Sequence, residues 1–518
     1  MNLLKMRSDL SHFFSDNYQN GLLFSSSDVL LAYLIPGWKA LMAFSIPRNT
    51  LSVFSLKKEQ DAILCLDALR FISFTWVASL HSAVFTVESD NGMQLLRDED
   101  YFYSPLILNS YSSVDTFFLI SGLLVSYTFF KKVHRDPDHA RSRFNWIMYY
   151  VHRWLRLTPA YLLFIGMYVA WTPRMHGVWA LSTAMNSSYF VQACEDTWWM
   201  NALYISNFNG MLNMCYPISW FLSVDMQLYW IAPLFLLAIY YSWKAGLGAV
   251  LAGVLISIFT MIALTAYSNL PVVSFFAVKH IGNLDFTNQI YIKPWTRCIP
   301  YLTGILCGYL IIQVRQKSIE LRRPKAWQII VCWLMATVTA LTVVFAVYDY
   351  MRGHSEWSIA VKSLYGSFAR IGWAAAVAWV VLACTFEWAG PVKNLLEHPL
   401  WYPLGRLSYC AFLVHWFLIH FLLNTGDRPS HYVSLGHMYL TVTIPVVFLS
   451  CIMAYIWTCL VEIPFGKIEV IVVDHLMRKR KSHIRDNMAN GTRPEMNGDG
   501  IKPANTSAIT AIEVNDNH

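Results

Sequence analysis

The stretch Leu69–His81, LRFISFTWVASLH, is apolar enough to cross a bilayer, yet it carries Arg70 near its start and His81 at its end. In an α-helix, the step of eleven residues from Arg70 to His81 turns through about 1100°, roughly 20° beyond three full turns, so both side chains share one stripe. They stand roughly 16 Å apart along the axis, about half the thickness of the hydrocarbon core. One membrane helix therefore presents a cation and an imidazole at two depths.

The composition of the whole chain is that of a polytopic membrane protein. Of its 518 residues, 56% are hydrophobic and only 14% are charged, whereas a soluble protein carries about 25% charged residues. The net charge of +7 fits basic residues retained in cytosolic loops. No basic patch is interleaved with exposed aromatic residues, so nucleic acid is not an expected partner. No CxxC or Cys/His spacing predicts a metal site.

Ten stretches are long and apolar enough to span the membrane, which predicts an all-α polytopic fold with about ten transmembrane helices. They are 66–87, 105–130, 148–172, 217–241, 244–266, 295–313, 327–349, 368–386, 400–423 and 437–461.

The regions that flank the spans suggest three parts. An N-terminal segment, residues 1–60, lacks the pattern of a cleaved signal peptide. Within it, residues 29–45 are short and interrupted by Pro36 and Lys39, which predicts either an interfacial helix or an eleventh span. The transmembrane domain covers 61–470. Residues 471–518 are polar and poor in aromatic residues, which predicts a disordered cytosolic tail.

Charged loops orient the spans. The loops KKVHRDPDHARSR (131–143) and VRQKSIELRRPK (314–325) and the segment RKRKSHIR after the last span are basic, so both ends of the ten-span core are expected in the cytosol. The loop 173–216 would then be luminal. It holds a glycosylation sequon at Asn186 and the pair Cys194 and Cys215, for which we predict glycosylation and a disulfide.

Intramembrane polar residues fall at two predicted levels. Four arginines are expected near the cytosolic ends of their helices: Arg70, Arg153, Arg156 and Arg406. The luminal level holds His81, Asp115 and Asp225, and the polar route also includes Trp220 and His415. An ionised residue at a helix centre costs about 2.5–3.5 kcal/mol on insertion scales, so such groups usually face a cavity or a partner.

Each of these residues also has an ordinary structural explanation. Arg70 could pair with Asp67 one turn earlier or reach the headgroups. The two arginines of the third span could anchor it on the cytosolic side. His81 could be a hydrogen-bonded core histidine, and Asp115 could stabilise the N-terminus of its helix.

The spacing of Arg70 and His81 resembles the R-x10-H pattern of the acyltransferase 3 family of membrane O-acyltransferases, and the resemblance covers about residues 60–470. VDTFFLISGLLVSY (114–127) resembles the family's second-span motif, and Arg153 and Arg156 resemble its R-x-x-R. Four further blocks resemble the animal branch named for nose resistance to fluoxetine: WFLSVDMQLYWIAPL (220–234), RCIPYLTGILCGYL (297–310), LGRLSYCAFLVHW (404–416) and VEIPFGKIE (461–469).

This resemblance implies a ten-span core, an acyl-CoA donor on the cytosolic side and an acceptor on the far side. Animal members typically carry a cysteine-containing luminal domain before the core. Only about 60 residues precede the core in this sequence, which suggests a short form.

The expected chemistry joins the two levels. Guanidinium groups bind phosphate in bidentate fashion, which suits the four arginines to the nucleotide of acyl-CoA. The pantetheine arm would bridge the roughly 16 Å to His81, which would take the proton of an acceptor hydroxyl. Asp115 is expected to orient the imidazole. An acyl-histidine intermediate is an alternative, whereas Ser121 or Ser408 as nucleophile has no GxSxG elbow in support.

The sequence thus predicts an O-acyltransferase of the endoplasmic reticulum or plasma membrane. Acyl-CoA would be a co-substrate rather than a permanently bound cofactor. Membrane lipids and a hydroxylated or lipophilic acceptor, such as a lipid, a sterol or a sugar, would be its partners. Two alternatives stay open: a transporter of lipids or lipophilic small molecules, and a pseudoenzyme that scaffolds partners through its luminal loops.

Overall fold

Every regular element in the described part of the chain is a helix, and no strand occurs there. The computed structural model describes residues 38–57, 61–95, 101–175, 187–273, 284–426 and 428–473. The chain divides into one unit of Met1–Glu469 and a second of Val470–His518. The predicted tail lies outside the described residues from position 474 onward.

In the part of the chain that the structure describes, ten long helices correspond one to one with the ten predicted spans. They are α1 (Cys65–Thr86), α2 (Ser112–Arg135), α3 (Arg143–Trp171), α4 (Ser219–Tyr241), α5 (Trp243–Ser268), α6 (Pro294–Arg315), α7 (Ala326–Phe345), α8 (Ile359–Thr385), α9 (Trp401–Asn424) and α10 (Leu435–Val473). The polytopic all-α prediction is confirmed.

Among the helix boundaries that differ from the prediction, two have clear local reasons. α8 begins at Ile359 because the Ser358 hydroxyl accepts a hydrogen bond from the Val361 N–H and caps the helix. α2 begins at Ser112 because the residues before it form a separate short helix, Ser104–Leu108, with a proline in its first turn.

Nine of these helices, all except α3, are long and apolar enough to cross a membrane among the residues that the structure describes. α3 is also long, at 29 residues, but it carries Arg143, Arg153 and Arg156. α5 and α7 bury only 17% and 11% of their most apolar windows. These two helices therefore form the periphery of the bundle and face lipid.

The centre of the bundle is the pair α2 and α6, which pack together more extensively than any other described pair. At Gly122 of α2 and Gly304 of α6, an added Cβ would strike the backbone of the opposite helix. Small residues at such positions let two membrane helices approach closely. α1 packs beside this pair and against α9.

The N-terminal segment is described only in part. Two short helices, Trp38–Ala43 and Ile46–Phe54, precede α1. The second is anchored by Asn49, whose side-chain amide donates to the carbonyl of Cys459 at 2.9 Å. Residues 29–37 of the predicted interfacial helix or eleventh span lie outside the described residues.

The predicted luminal loop contains a helix, Ser187–Ala202, and the disulfide between Cys194 and Cys215. The bond joins this helix to the residues just before α4, and the predicted pairing is confirmed. The sequon asparagine, Asn186, lies outside the described residues.

Candidate active site

His81 of α1 meets His415 of α9 inside the bundle. The Nδ1 atom of His81 and the Nε2 atom of His415 are 2.7 Å apart. The two rings are nearly coplanar, with 9° between their planes and 5.0 Å between their centroids. A hydrogen bond therefore joins the two imidazoles edge to edge.

A carbonyl group sets the direction of this hydrogen bond. The Nδ1 atom of His415 lies 2.5 Å from the carbonyl oxygen of Phe412, which can only accept, so this nitrogen carries the proton. The Nε2 atom of a neutral His415 is then an acceptor, and Nδ1 of His81 donates to it. This network leaves the lone pair on Nε2 of His81, the arrangement that a general base requires.

Aromatic side chains surround the two histidines. Trp416 packs edge-on against His81, with 5.1 Å between centroids, and Phe74 packs edge-on against His415 at 5.8 Å. His415 has no solvent-exposed surface, whereas His81 is half-buried. The packing fixes the inner ring and leaves part of the outer one accessible.

Asp115 does not contact His81, which corrects the predicted orienting role. Its Oδ1 atom accepts a hydrogen bond from Nη1 of Arg297 at 2.7 Å, and both side chains are only 2% exposed. Phe412 and Phe221, with ring centroids 5.0 Å apart, lie between the histidines and this ion pair. A buried carboxylate takes the nearest guanidinium as its partner, so His415 occupies the position expected for Asp115.

Two further arginines belong to this region and were missed from the sequence. Arg297 lies in the first turn of α6, where its guanidinium lies 4.3 Å from the ring centroid of Tyr291 and 5.9 Å from that of Trp220. Arg370 of α8 is only 7% exposed and interacts electrostatically with Arg297 and Asp115. Both arginines lie inside apolar stretches, which was the available signal.

Arg153 and Asp225, assigned to opposite levels of the membrane, form an ion pair. Arg153 also donates to the hydroxyl of Ser121 at 3.2 Å, and its guanidinium lies 4.2 Å from the ring centroid of Tyr229. Separate cytosolic and luminal levels are therefore wrong for these two residues. Their contact joins α3 to α4.

The other predicted nucleotide-binding arginines differ in their partners. Arg70 donates to Asp67 at 3.1 Å, which is the pairing one turn earlier that was its ordinary structural explanation. Arg406 donates to three carbonyl groups at the end of the helix Ile46–Phe54, those of Ser52, Val53 and Ser55. Arg156 makes no hydrogen bond or ion pair with any residue that the structure describes. Among the four, Arg156 and the outer face of Arg70 remain open to a ligand.

The serines considered as nucleophiles have structural partners instead. Ser121 accepts from Arg153, and the Ser408 hydroxyl donates to the carbonyl oxygen of Gly405 at 2.7 Å. Within the described residues, no group of three His, Cys, Asp or Glu side chains could hold a metal ion.

Comparison with known proteins identifies the family to which the chain is similar. A family model described as "Acyltransferase domain", that of acyltransferase 3, matches residues 63–463. "Nose resistant to fluoxetine protein 6" of Caenorhabditis elegans is 28% identical over 464 residues, which cover 85% of this chain and 55% of that protein. The chain thus spans about half the length of that relative.

A second relative is similar along nearly its whole length. "Regulator of hypoxia-inducible factor 1" of Caenorhabditis elegans is 23% identical over 501 residues, which cover 89% of this chain and 92% of that protein. No solved structure matches the chain. Because the family model covers most of the sequence, including both histidines and the buried arginines, the chain belongs to the acyltransferase 3 family.

Proposed function

We propose that this protein is a membrane acyltransferase that moves an acyl group from cytosolic acyl-CoA to a hydroxyl acceptor. The family match supports acyl transfer in general. The donor, the acceptor class and the cytosolic position of both ends of the core are part of the proposal.

The observation that carries the proposal is the hydrogen-bond relay from Phe412 through His415 to His81. It holds His81 as the tautomer whose Nε2 atom accepts a proton. When that atom is protonated, the Nδ1–H of the imidazolium still donates to His415. The second histidine thus performs the orienting role that a carboxylate has in hydrolase triads.

The proposed reaction needs no reactant besides the acceptor hydroxyl and the thioester. Nε2 of His81 takes the proton of the acceptor hydroxyl as its oxygen attacks the thioester carbonyl carbon. The new C–O ester bond forms and the C–S bond breaks. The proton passes from His81 to the departing thiolate, which leaves as coenzyme A, so the base is restored.

The donor end of the site rests on Arg156 and Arg70. Arg156 has a guanidinium without a hydrogen-bonded partner among the described residues, and Arg70 uses only one nitrogen for Asp67. Both can bind the phosphates of the nucleotide. Arg70 lies on the same continuous helix as His81, and the rise of about 1.5 Å per residue separates them by a length that the pantetheine arm spans.

The test compares wild type with His81→Ala and with His431→Ala, purified and reconstituted. His431 is an exposed histidine that contacts Asp90 rather than the relay, and it serves as the matched control. We expect acyl-CoA-dependent ester formation over a panel of hydroxylated lipids and sterols. His81→Ala should lower it about 10²–10⁴-fold, and His431→Ala should leave it unchanged.

Two results would contradict the proposal. One is background turnover by all three proteins on the whole panel. The other is equal turnover by wild type and His81→Ala. Lipid movement between leaflets by the wild type without turnover would instead identify a transporter.

A further inference from the structure

A large apolar groove lies on the side of α1 that faces away from His81. Its volume is about 950 Å³, and it is formed by α1, α7, α8 and α10. Trp76, on its wall, is five residues before His81, or about 140° around the helix. Since α7 is largely exposed to lipid, the groove opens toward the bilayer.

The inner wall of the groove adjoins the buried arginines. In this wall, the indole N–H of Trp373 donates to the hydroxyl of Thr116 at 3.0 Å. Thr116 follows Asp115 in α2, and Trp373 lies one turn after Arg370 in α8. The apolar groove and the charged cluster of Asp115, Arg297 and Arg370 are therefore neighbours.

The charges of this cluster do not cancel. It contains two guanidinium groups and one carboxylate, and the carboxylate is taken by Arg297. The Nη2 atom of Arg297 is buried without a hydrogen-bond partner. Arg370 has no ion-pair partner in the part of the chain that the structure describes, and its hydrogen bond goes to the Met261 sulfur at 2.6 Å. A thioether is a weak acceptor and cannot neutralise a cation.

We propose that an anionic lipid binds here, with its acyl chain in the groove and its phosphate or carboxylate on Arg370 and Arg297. The bound anion balances the excess positive charge, which a membrane interior tolerates only when it is paired. Bidentate binding of such groups suits guanidinium. This site is separate from the His81–His415 pair and goes beyond the proposed transfer reaction.

The experiment measures lipid binding by the full-length protein, independently of turnover. Wild type is placed in phosphatidylcholine nanodiscs with phosphatidic acid, with neutral diacylglycerol, or with inorganic phosphate in the buffer. Thermal unfolding and native mass spectrometry report the bound lipid. We expect phosphatidic acid alone to raise the unfolding temperature and to remain bound.

Five variants locate the site. Arg370→Gln should bind phosphatidic acid about 10–100-fold more weakly, the range of one charge-assisted hydrogen bond, and Arg370→Lys should recover part of the loss. Ala340→Trp fills the groove without a change in charge and should also weaken binding. Arg323→Gln, in an exposed loop, is the arginine control, and His81→Ala should bind as wild type does.

Several outcomes would overturn the proposal. Equal stabilisation by diacylglycerol would show that the site does not recognise the lipid's charge. Equal stabilisation by inorganic phosphate would show that the site does not recognise the lipid's acyl chain. Unchanged binding in Arg370→Gln or in Ala340→Trp would place the lipid elsewhere. Because His81→Ala retains this site, loss of turnover and loss of lipid binding are distinguishable.

Discussion

His81 depends on a neighbouring imidazole rather than on a carboxylate. In the relay, the Phe412 carbonyl fixes the proton of His415, and His415 in turn fixes the proton of His81. A neutral partner stabilises an imidazolium less than an anion does, so in the proposed reaction His81 relies on correct orientation more than on charge. The role of His415 can be tested separately from that of His81.

Replacement of His415 should impair the chemical step more than donor binding. We expect His415→Phe to lower kcat by about tenfold or more, within the range of general-base assistance, with little change in KM for acyl-CoA. His415→Gln should recover part of the rate, because its side-chain oxygen can accept from Nδ1 of His81. Steady-state kinetics on both variants provide the check. Equal activity of His415→Phe and wild type would remove His415 from the mechanism.

The ion pair of Asp115 and Arg297 should be a stabilising contact. Removal of one partner of a buried pair leaves an uncompensated charge, so Asp115→Asn should lower the free energy of unfolding by about 3–5 kcal/mol. The double variant Asp115→Asn/Arg297→Gln should regain part of that loss. Denaturation of wild type, the single variant and the double variant in one detergent measures both differences in stability. If Asp115→Asn is as stable as wild type, the pair does not hold α2 to α6.

At the scale of helices, the decisive contact is the close approach of α2 and α6. It places Asp115 and Arg297 side by side, and it depends on glycines whose Cβ positions are occupied by the partner's backbone. Hydropathy predicted both helices, since crossing a bilayer requires an apolar run. It could not predict which faces meet, because that depends on the shapes of both surfaces.

Gly304→Ala should separate these two helices. The added methyl group would meet the backbone of Leu119, and overpacking of this kind typically costs about 1–3 kcal/mol. Gly248→Ala on α5 is the matched control, because nothing lies within 4 Å of its Cβ position. That change should be neutral or stabilise α5 by about 0.5–1 kcal/mol. Thermal unfolding of both variants tests the difference, and equal stabilities would contradict the close contact.

Helix depth explains one prediction that failed. Asp225 lies about 9 Å from the first residue of α4, and Arg153 lies about 15 Å from the first residue of α3. A long arginine side chain closes most of the remaining distance across a core of about 30 Å. Counting residues from the predicted helix ends placed Arg153 and Asp225 at two different levels, whereas the length of the arginine side chain lets them form an ion pair. The sequence indicated the position of each residue along its helix, but it did not predict the ion pair between them.

At the scale of the whole molecule, the sequence predicted about ten spans and the disulfide. The described residues contain the disulfide and ten long helices, nine of which are apolar enough to cross a membrane. The candidate site was predictable only in part. His81 and His415 stand in apolar helices and were therefore conspicuous, but their mutual contact depends on the packing of α1 against α9. Arg297 and Arg370 were passed over because the basic ends of other helices gave a simpler pattern.

The predicted topology places opposite loops on opposite sides of the membrane. We expect a cysteine at Arg323, in the exposed loop between α6 and α7, to react with a membrane-impermeant maleimide only after the cells are permeabilised. A cysteine at His354, exposed between α7 and α8, should show the reverse pattern of protection in sealed inside-out vesicles. Wild type controls for the native thiols. The same accessibility at both positions would contradict the orientation.

The most direct test of the central claim is a structure of the protein bound to a non-hydrolysable acyl-CoA analogue. We expect nucleotide density at Arg156 and Arg70, and the carbonyl carbon within reach of an acceptor oxygen held about 3–3.5 Å away beside His81. Density for the carbonyl group on the opposite face of α1, or with the His81–His415 contact broken, would contradict it.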